Sequence, residues 1–163
     1  MKVKSLKDLT PLEKWTDGQL NPAYYQDYAT YFVKWVQAFK AEGIDIYAVT
    51  PQNEPLNRGN SASLYMSWEE QRNFVKSALG PKFKAAGLTA KIYAYDHNYD
   101  YSDIEAERNY PGKIYEDGDA AQYLAGAAYH NYGGDREELL NMHETYPEKE
   151  LLFTDCLLYT SPS

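Results

Sequence analysis

Two spacings of apolar residues alternate along the chain. From Asn21 to Gly43, aromatic and aliphatic residues recur at helical spacing, which predicts a helix with one apolar face turned to a core. Asn21 suits the N-cap and Pro22 the first helical position. In residues 45–49, polar and apolar side chains alternate and some are β-branched, which predicts a short strand ending at Thr50.

The same succession of helix and strand occurs three more times. Ser67 and Glu70 form a capping-box pattern that opens a helix to about Leu79, where Gly80-Pro81 is expected to interrupt it. Residues 1–20 are expected to be irregular, and residues 99–118 a long acidic loop with weak helical character. The remaining predicted elements are strands at 90–95, 126–130 and 150–154, a short helix at 119–124, and a helix capped by Asp135 with Glu138 three residues on.

Strands that alternate with helices predict a parallel sheet with right-handed crossovers. The expected fold class is therefore α/β, as a partial (β/α)8 TIM barrel. An open doubly wound sheet fits the alternation too, but no Gly-rich phosphate loop follows any of the strands.

Polar side chains follow each predicted strand. Because parallel strands end at one face, these side chains are expected to form one site. The candidates are Asn53 and Glu54 after the first strand, Asp96, His97 and Asn98 after the second, His130 and Tyr132 after the third, and Asp155 after the fourth.

Glu54 and Asp155 are a carboxylate pair suited to glycoside hydrolysis, in which one carboxyl protonates the leaving oxygen and the other attacks or activates water. A carboxyl separation of roughly 5–5.5 Å predicts retention, and roughly 6.5–9.5 Å inversion. A metal site built from His97, His130, Asp96 and Glu54 is an alternative, although no common histidine ligand spacing is present. A Ser or Cys nucleophile is a weaker one, since no Gly-x-Ser-x-Gly motif occurs.

Composition excludes several classes of protein. The net charge of −8 and the scattered Lys and Arg residues argue against a nucleic-acid partner, and no apolar run approaches a membrane span. The single cysteine excludes an internal disulfide and a Cys-based metal site, and no cofactor is expected. The 17 tyrosines suit sugar binding as well as core packing. No signal peptide is visible at Met1.

A specific set of motifs resembles glycoside hydrolase family thirty over most of residues 20–155. The set comprises the segments Tyr24-Tyr25-Gln26-Asp27-Tyr28-Ala29, Thr50-Pro51-Gln52-Asn53-Glu54-Pro55-Leu56-Asn57, Tyr95-Asp96-His97-Asn98 and His130-Asn131-Tyr132-Gly133-Gly134. The resemblance implies a (β/α)8 barrel with a side β-domain and a retaining β-glycosidase of the endo-β-1,6-glucanase or glucosylceramidase kind. A xylan- or xyloside-specific member of the family is an alternative.

The resemblance also implies roles for the candidates. Glu54 matches the acid/base at the end of the fourth barrel strand, Asn53 an amide that contacts the sugar 2-hydroxyl, and position 155 the nucleophile after the seventh strand. The expected substrate is a β-linked glucan, an oligosaccharide or a glycolipid, and the expected location is extracellular or periplasmic. The expected substrate-binding residues are Asn53, Asp96, His97, Asn98, His130 and Tyr132.

Two departures from the family affect these expectations. The family has Glu at the nucleophile position, whereas this chain has Asp155. Residues 1–155 are expected to be a fragment that contains barrel strands four to seven and is inactive by itself. Residues 156–163 resemble the translation of a sequencing adaptor rather than any family segment. An adaptor junction would also turn a native Glu codon into Asp155. If Asp155 is genuine, the alternative is a sugar-binding protein that has lost catalysis.

Overall fold

The computed structural model describes residues 1–101 and 103–155, which form two sheets and six α-helices. The strands are β1 (Lys2–Ser5), β2 (Asp8–Pro11), β3 (Gln19–Leu20), β4 (Ala48–Val49), β5 (Lys91–Asn98), β6 (Gly126–His130) and β7 (Glu150–Asp155). The helices are α1 (Tyr25–Ala41), α2 (Trp68–Phe74), α3 (Gly80–Ala85), α4 (Tyr110–Tyr115), α5 (Gly118–Ala121) and α6 (Glu137–Thr145).

The larger sheet has the strand order β4-β5-β6-β7, and every pair in it is parallel. This confirms the predicted alternation of parallel strands and helices. The carboxyl ends of all four strands therefore lie at one edge of the sheet, as the candidate site requires.

The core lies between this sheet and the helices. Phe74 is fully buried, and its ring lies 5.4 Å from that of Tyr25 and 5.3 Å from that of Tyr28. The apolar face predicted for α1 is only partly covered. Tyr25, Ala29 and Val36 are buried, whereas Tyr31, Trp35 and Phe39 remain exposed in this chain.

The helix that begins at Ser67 continues past Gly80-Pro81, so the predicted interruption is wrong. Ser67 and Glu70 form the capping box as expected. A π-helical segment, Val75–Leu79, joins α2 to α3, and the N–H of Gly80, the residue that follows it, donates to the Val75 carbonyl. Pro81 has no N–H to donate to the Ser77 carbonyl four residues earlier, and that carbonyl accepts the side-chain amide of Gln26 at 2.8 Å instead.

Residues 1–20 are not irregular, contrary to the prediction. β1 pairs antiparallel with β2 and with β3. These strands have only two to four residues, too few to show a convincing period in sequence. An isolated parallel bridge joins Gln19 to Tyr65, so this small sheet contacts the loop that follows β4.

Other boundaries also differ. β5 runs on through Asp96, His97 and Asn98, which were expected just beyond its end. The acidic loop contains a 3-10 turn, Glu105–Glu107, as well as α4. The capping box expected before α6 does not form. The Asp135 side chain does accept a bond from the Glu137 N–H, but the Glu138 carboxylate accepts one from the Asp100 N–H instead of reaching back.

Residues 156–163, for which a non-native origin is predicted, lie outside the described part of the chain. Within residues 1–101 and 103–155, no helix combines the length and the apolarity that crossing a membrane requires.

Candidate active site

Two irregularities in the sheet shape the candidate site. The register between β5 and β6 shifts by one residue at Asp96, which is left without a partner. The register between β6 and β7 shifts in the same way at Thr154. Such bulges bend a strand and redirect a side chain. Here Asp96 also has a left-handed backbone, with φ 69°.

Glu54 lies in the loop after β4 and has a left-handed backbone, with φ 45°. Its N–H donates to the carbonyl of Asp96 at 2.9 Å, which ties this loop to β5. Its carboxylate accepts two amide bonds on Oε2, from Asn57 and from Asn60, each at 2.8 Å. These bonds hold the carboxyl group in place, and the side chain still reaches solvent because 15% of it is exposed.

His130 joins Glu54 to Asp96. Its Nδ1 lies 3.3 Å from Oε1 of Glu54, and its Nε2 lies 3.0 Å from Oδ1 of Asp96. Burial lowers the pKa of His130, but the hydrogen bonds and charges of the two carboxylates outweigh it and raise that pKa above its usual value. The imidazole is thereby favoured in its charged form between two acidic groups.

Asp96 is buried and bonded on both of its carboxylate oxygens. Thr50 donates to Oδ2 at 2.6 Å, and Thr154 and His130 share Oδ1. Burial raises the pKa of Asp96, but the hydrogen bonds of these three residues and the charge of His130 bring it below its usual value. Asp96 is thus a buried carboxylate bonded by three protein groups, and it orients His130.

Asp155 ends β7 on the same edge of the sheet. The hydroxyl of Tyr132 donates to Oδ1 of Asp155 at 2.5 Å, as expected for a short charge-assisted bond. The N–H of Tyr132 donates to the Asn98 side chain at 3.1 Å, and the Tyr132 ring meets the His130 ring edge-on at 6.0 Å. Tyr132 therefore links the Asp155 side of the site to the His130 side.

Asn53 and His97 differ in accessibility. Asn53 is exposed, and its carbonyl accepts bonds from Gln52 and Ser63. His97 is 1% exposed and stacks on Tyr101 at 3.9 Å. Burial and the charge of His130 lower the pKa of His97 to about 3, so the ring is neutral at physiological pH.

Four residues of this network were not predicted. Thr50 and Thr154 lie at the carboxyl ends of β4 and β7, so the rule that selected the other candidates applies to them as well. Asn57 and Asn60 carry no comparable signal, because only the turn of the loop brings them back to Glu54.

Three of the four residues considered for a metal, Glu54, Asp96 and His130, already bond to one another. Both ring nitrogens of His130 are engaged by carboxylates, and Nδ1 of His97 accepts the N–H of Asn98. Within the described ranges, no group of three or more His, Cys, Asp or Glu side chains has a geometry that could hold a metal ion.

Comparisons with known proteins identify the family. The glycosyl hydrolase family 30 TIM-barrel domain matches residues 7–160. An endo-1,6-beta-D-glucanase of Trichoderma harzianum is 40% identical over 146 residues, which are 86% of this chain and 28% of that protein. The lysosomal acid glucosylceramidase of Mus musculus is 29% identical over 153 residues, 88% of this chain and 27% of that protein.

A solved structure of an endo-beta1,6-glucanase is 82% identical to this chain, with a TM-score of 0.93, and the match covers 94% of this chain and 34% of that one. The chain thus spans about a third or less of the length of these relatives. The predicted partial barrel and the predicted family are both confirmed. The chain belongs to glycosyl hydrolase family 30 and corresponds to part of its TIM-barrel domain.

Proposed function

We propose that the protein carrying this chain is a retaining β-glycosidase that cleaves β-1,6-glucan, with Glu54 as acid/base and the carboxylate at position 155 as nucleophile. The observation that carries the proposal is the set of hydrogen bonds that fixes the Glu54 carboxyl group. Two amides and one imidazole fix a partly exposed carboxyl group at the sheet edge that also ends in Asp155. Fixed, solvent-accessible carboxyl groups on one edge suit the two-carboxylate mechanism.

In the first step the position-155 carboxylate attacks the anomeric carbon while Glu54 gives its proton to the departing glycosidic oxygen. The bond between the anomeric carbon and that oxygen breaks as the glycosyl-enzyme ester forms. In the second step the Glu54 carboxylate takes a proton from water, whose oxygen attacks the same carbon. The ester breaks, the sugar leaves with its configuration retained, and Glu54 is protonated again.

The neighbouring residues act on these two groups. Asp96 and His130 are positioning residues, because Asp96 is buried and His130 joins it to Glu54. The Tyr132 hydroxyl bonds Asp155 and would hold the nucleophile beneath the anomeric carbon. Asn53 and Asn98 lie beside these groups and would bond sugar hydroxyls, while the burial of His97 favours a role in supporting the site.

The choice of β-1,6-glucan rests on the two glucanase relatives, at 40% and 82% identity. The glucosylceramidase relative, at 29%, makes a glucosyl lipid the second substrate to test. A xylan substrate is the third. An extracellular or periplasmic location would accord with a polymeric substrate that cannot cross a membrane.

The test uses the full-length protein that carries this chain and β-1,6-glucan. Glu54→Gln is expected to lower kcat by about 10²–10⁴, because general acid catalysis is lost. It is also expected to leave affinity for the glucan intact. Glu144→Gln, on the exposed side of α6, is the matched control. Unchanged turnover in Glu54→Gln, or an inverted product anomer by NMR, would contradict the proposal.

A second variant tests position 155. If the native nucleophile is Glu, Asp155→Glu restores the missing methylene, and kcat is expected to rise by on the order of a hundredfold, since errors of about 1 Å in placement cost that much. A protein that binds glucan, cleaves none, and gains no activity from Asp155→Glu would support the sugar-binding alternative.

A further inference from the structure

Trp15 is 80% exposed, more than any other large apolar side chain in the described residues. Tryptophan is usually well buried because its indole ring removes a large apolar area from water when it is covered. No group of the described residues covers the indole, so whatever packs on it comes from elsewhere: a ligand, or another part of the protein that carries this chain.

The backbone around Trp15 is firmly held. The Nζ atom of Lys2 donates to the carbonyls of Lys14 and Thr16, on either side of the tryptophan, at 2.7 and 2.9 Å. The carbonyl of Trp15 itself accepts the Ser63 N–H at 3.1 Å. Three successive carbonyls are thus occupied, so the exposed ring stands on a fixed backbone.

A second set of contacts holds the same segment from its other end. The guanidinium of Arg58 pairs with Asp17 at 2.8 Å and lies 3.9 Å above the ring of Tyr65. The N–H of Tyr65 donates to the Gly18 carbonyl at 2.9 Å. The segment is therefore docked on the loop that leaves the carboxyl end of β4.

That loop is the one that carries the acid/base candidate. The Ser63 hydroxyl accepts from the Gln52 side chain at 2.7 Å and approaches the carbonyl of Asn53 at 3.4 Å. Trp15, Gln52 and Ser63 also line one cleft of about 500 Å³, to which Lys14 contributes a charged side chain. The backbone of Trp15 is thus coupled through Ser63 to the two residues that precede Glu54.

We propose that Trp15 is a sugar-stacking platform, at which a glucosyl unit of a bound β-glucan packs its apolar C–H face on the indole. The proposal rests on the proposed function and extends it to a substrate unit away from the scissile bond. An aromatic ring on an ordered backbone gains contact area with little loss of conformational entropy, because only its two side-chain torsions remain to be ordered when the sugar binds. The charged side chains of Glu13 and Lys14, which line the same cleft, would bond the sugar hydroxyls.

The test compares Trp15→Ala, Trp15→Phe and Leu140→Ala in the full-length protein. Leu140 is 63% exposed on α6 and provides a matched loss of exposed apolar surface away from the cleft. Trp15→Ala is expected to raise KM for β-1,6-glucan about tenfold, the size expected for one aromatic contact, with kcat changed much less. Trp15→Phe should recover most of the affinity, and Leu140→Ala should match the wild type.

The loss at Trp15→Ala is expected to grow with the length of the oligosaccharide substrate, whereas a merely structural role would affect all lengths equally. An active wild type whose KM and length profile are unaltered by Trp15→Ala would overturn the platform and leave the proposed function standing.

A binding measurement separates the two proposals. Glu54→Gln and Glu54→Gln/Trp15→Ala are run in native gels containing β-1,6-glucan, β-1,3-glucan or xylan. Retardation by either glucan that disappears with Trp15→Ala supports the platform, whether or not the wild type cleaves that glucan, whereas retardation by xylan alone contradicts it. Equal retardation of both variants, or retardation by none of the polysaccharides, contradicts it.

Discussion

The hydroxyl of Thr154 donates a hydrogen bond to the carboxylate of Asp96, and each of these residues is the unpaired one at a register shift beside β6. The two bulges flank the strand that carries His130, whose Nε2 bonds the same carboxylate oxygen. The bulges thus bring residues of three neighbouring strands together as a support for Glu54.

Removing the Thr154 hydroxyl tests this support. Thr154→Val keeps the side-chain shape but leaves Asp96 with one donor fewer, which is expected to lower kcat/KM about tenfold, since one hydrogen bond to a charged group is worth roughly 1.5–3 kcal/mol. Thr154→Ser keeps the hydroxyl and is the control. Equal loss in both variants, measured by steady-state hydrolysis at matched thermal stability, would contradict the role of the hydroxyl.

The raised pKa of His130 makes part of the stability depend on pH. Burial lowers that pKa, and the bonds and charges of Asp96 and Glu54 more than reverse the effect. The stabilising contribution is therefore fully present below the unfolded histidine pKa of about 6.5 and is lost as pH rises through the higher folded value. NMR titration of the imidazole should show a lower pKa in Asp96→Asn. An unchanged value would mean that the carboxylate does not set it.

The raised pKa of Glu138 leads us to expect a loss of stability over a lower pH range than the one set by His130. Burial raises its pKa to about 7, although the N–H of Asp100 acts in the opposite direction. The folded state therefore favours the protonated acid. The contribution of Glu138 to stability is therefore expected to be largest below the unfolded Glu pKa of about 4.3 and to be lost as pH rises to about 7.

Thermal unfolding of Glu138→Gln from pH 4 to 8 checks this expectation, because the amide mimics the protonated acid and should flatten that part of the profile. Glu137→Gln, at the exposed neighbouring position, should retain the wild-type profile. Identical profiles for wild type and Glu138→Gln would show that Glu138 does not cause the effect.

The position of Gly80 has no room for a side chain, because the side chain of Tyr123 packs directly against it. A methyl group there would overlap the Cβ and the ring of Tyr123, close to that residue's backbone, where little movement is possible. Gly80→Ala is expected to destabilise the fold by about 1–3 kcal/mol through overpacking. At Gly118 a methyl group would meet no atom within 4 Å, so Gly118→Ala should be neutral or slightly stabilising. Denaturant unfolding of both variants gives the comparison.

Sequence patterns predicted an element correctly where several residues in a row favoured the same helix or strand. The apolar spacing of α1, the capping box at Ser67 and the apolar runs of β5 and β6 each involve several residues that favour the same element. They failed where an element was short or unusual. Strands β1 to β3 have at most four residues each, and the π-helical turn at Val75–Leu79 replaces a break that Gly80-Pro81 would ordinarily produce.

By itself, the sequence determined the alternation of helices with parallel strands and the edge of the sheet at which polar side chains collect. It also determined that the carboxyl groups of Glu54 and Asp155 lie at that edge. Local periodicity and the polarity of strand ends are properties of neighbouring residues, so they can be read without coordinates. Only the tertiary structure decided that His130 bridges Glu54 and Asp96, and that Trp15 stands beside the loop of Glu54. Those contacts join residues far apart in the chain, and they depend on one-residue register shifts and loop turns that no local pattern records.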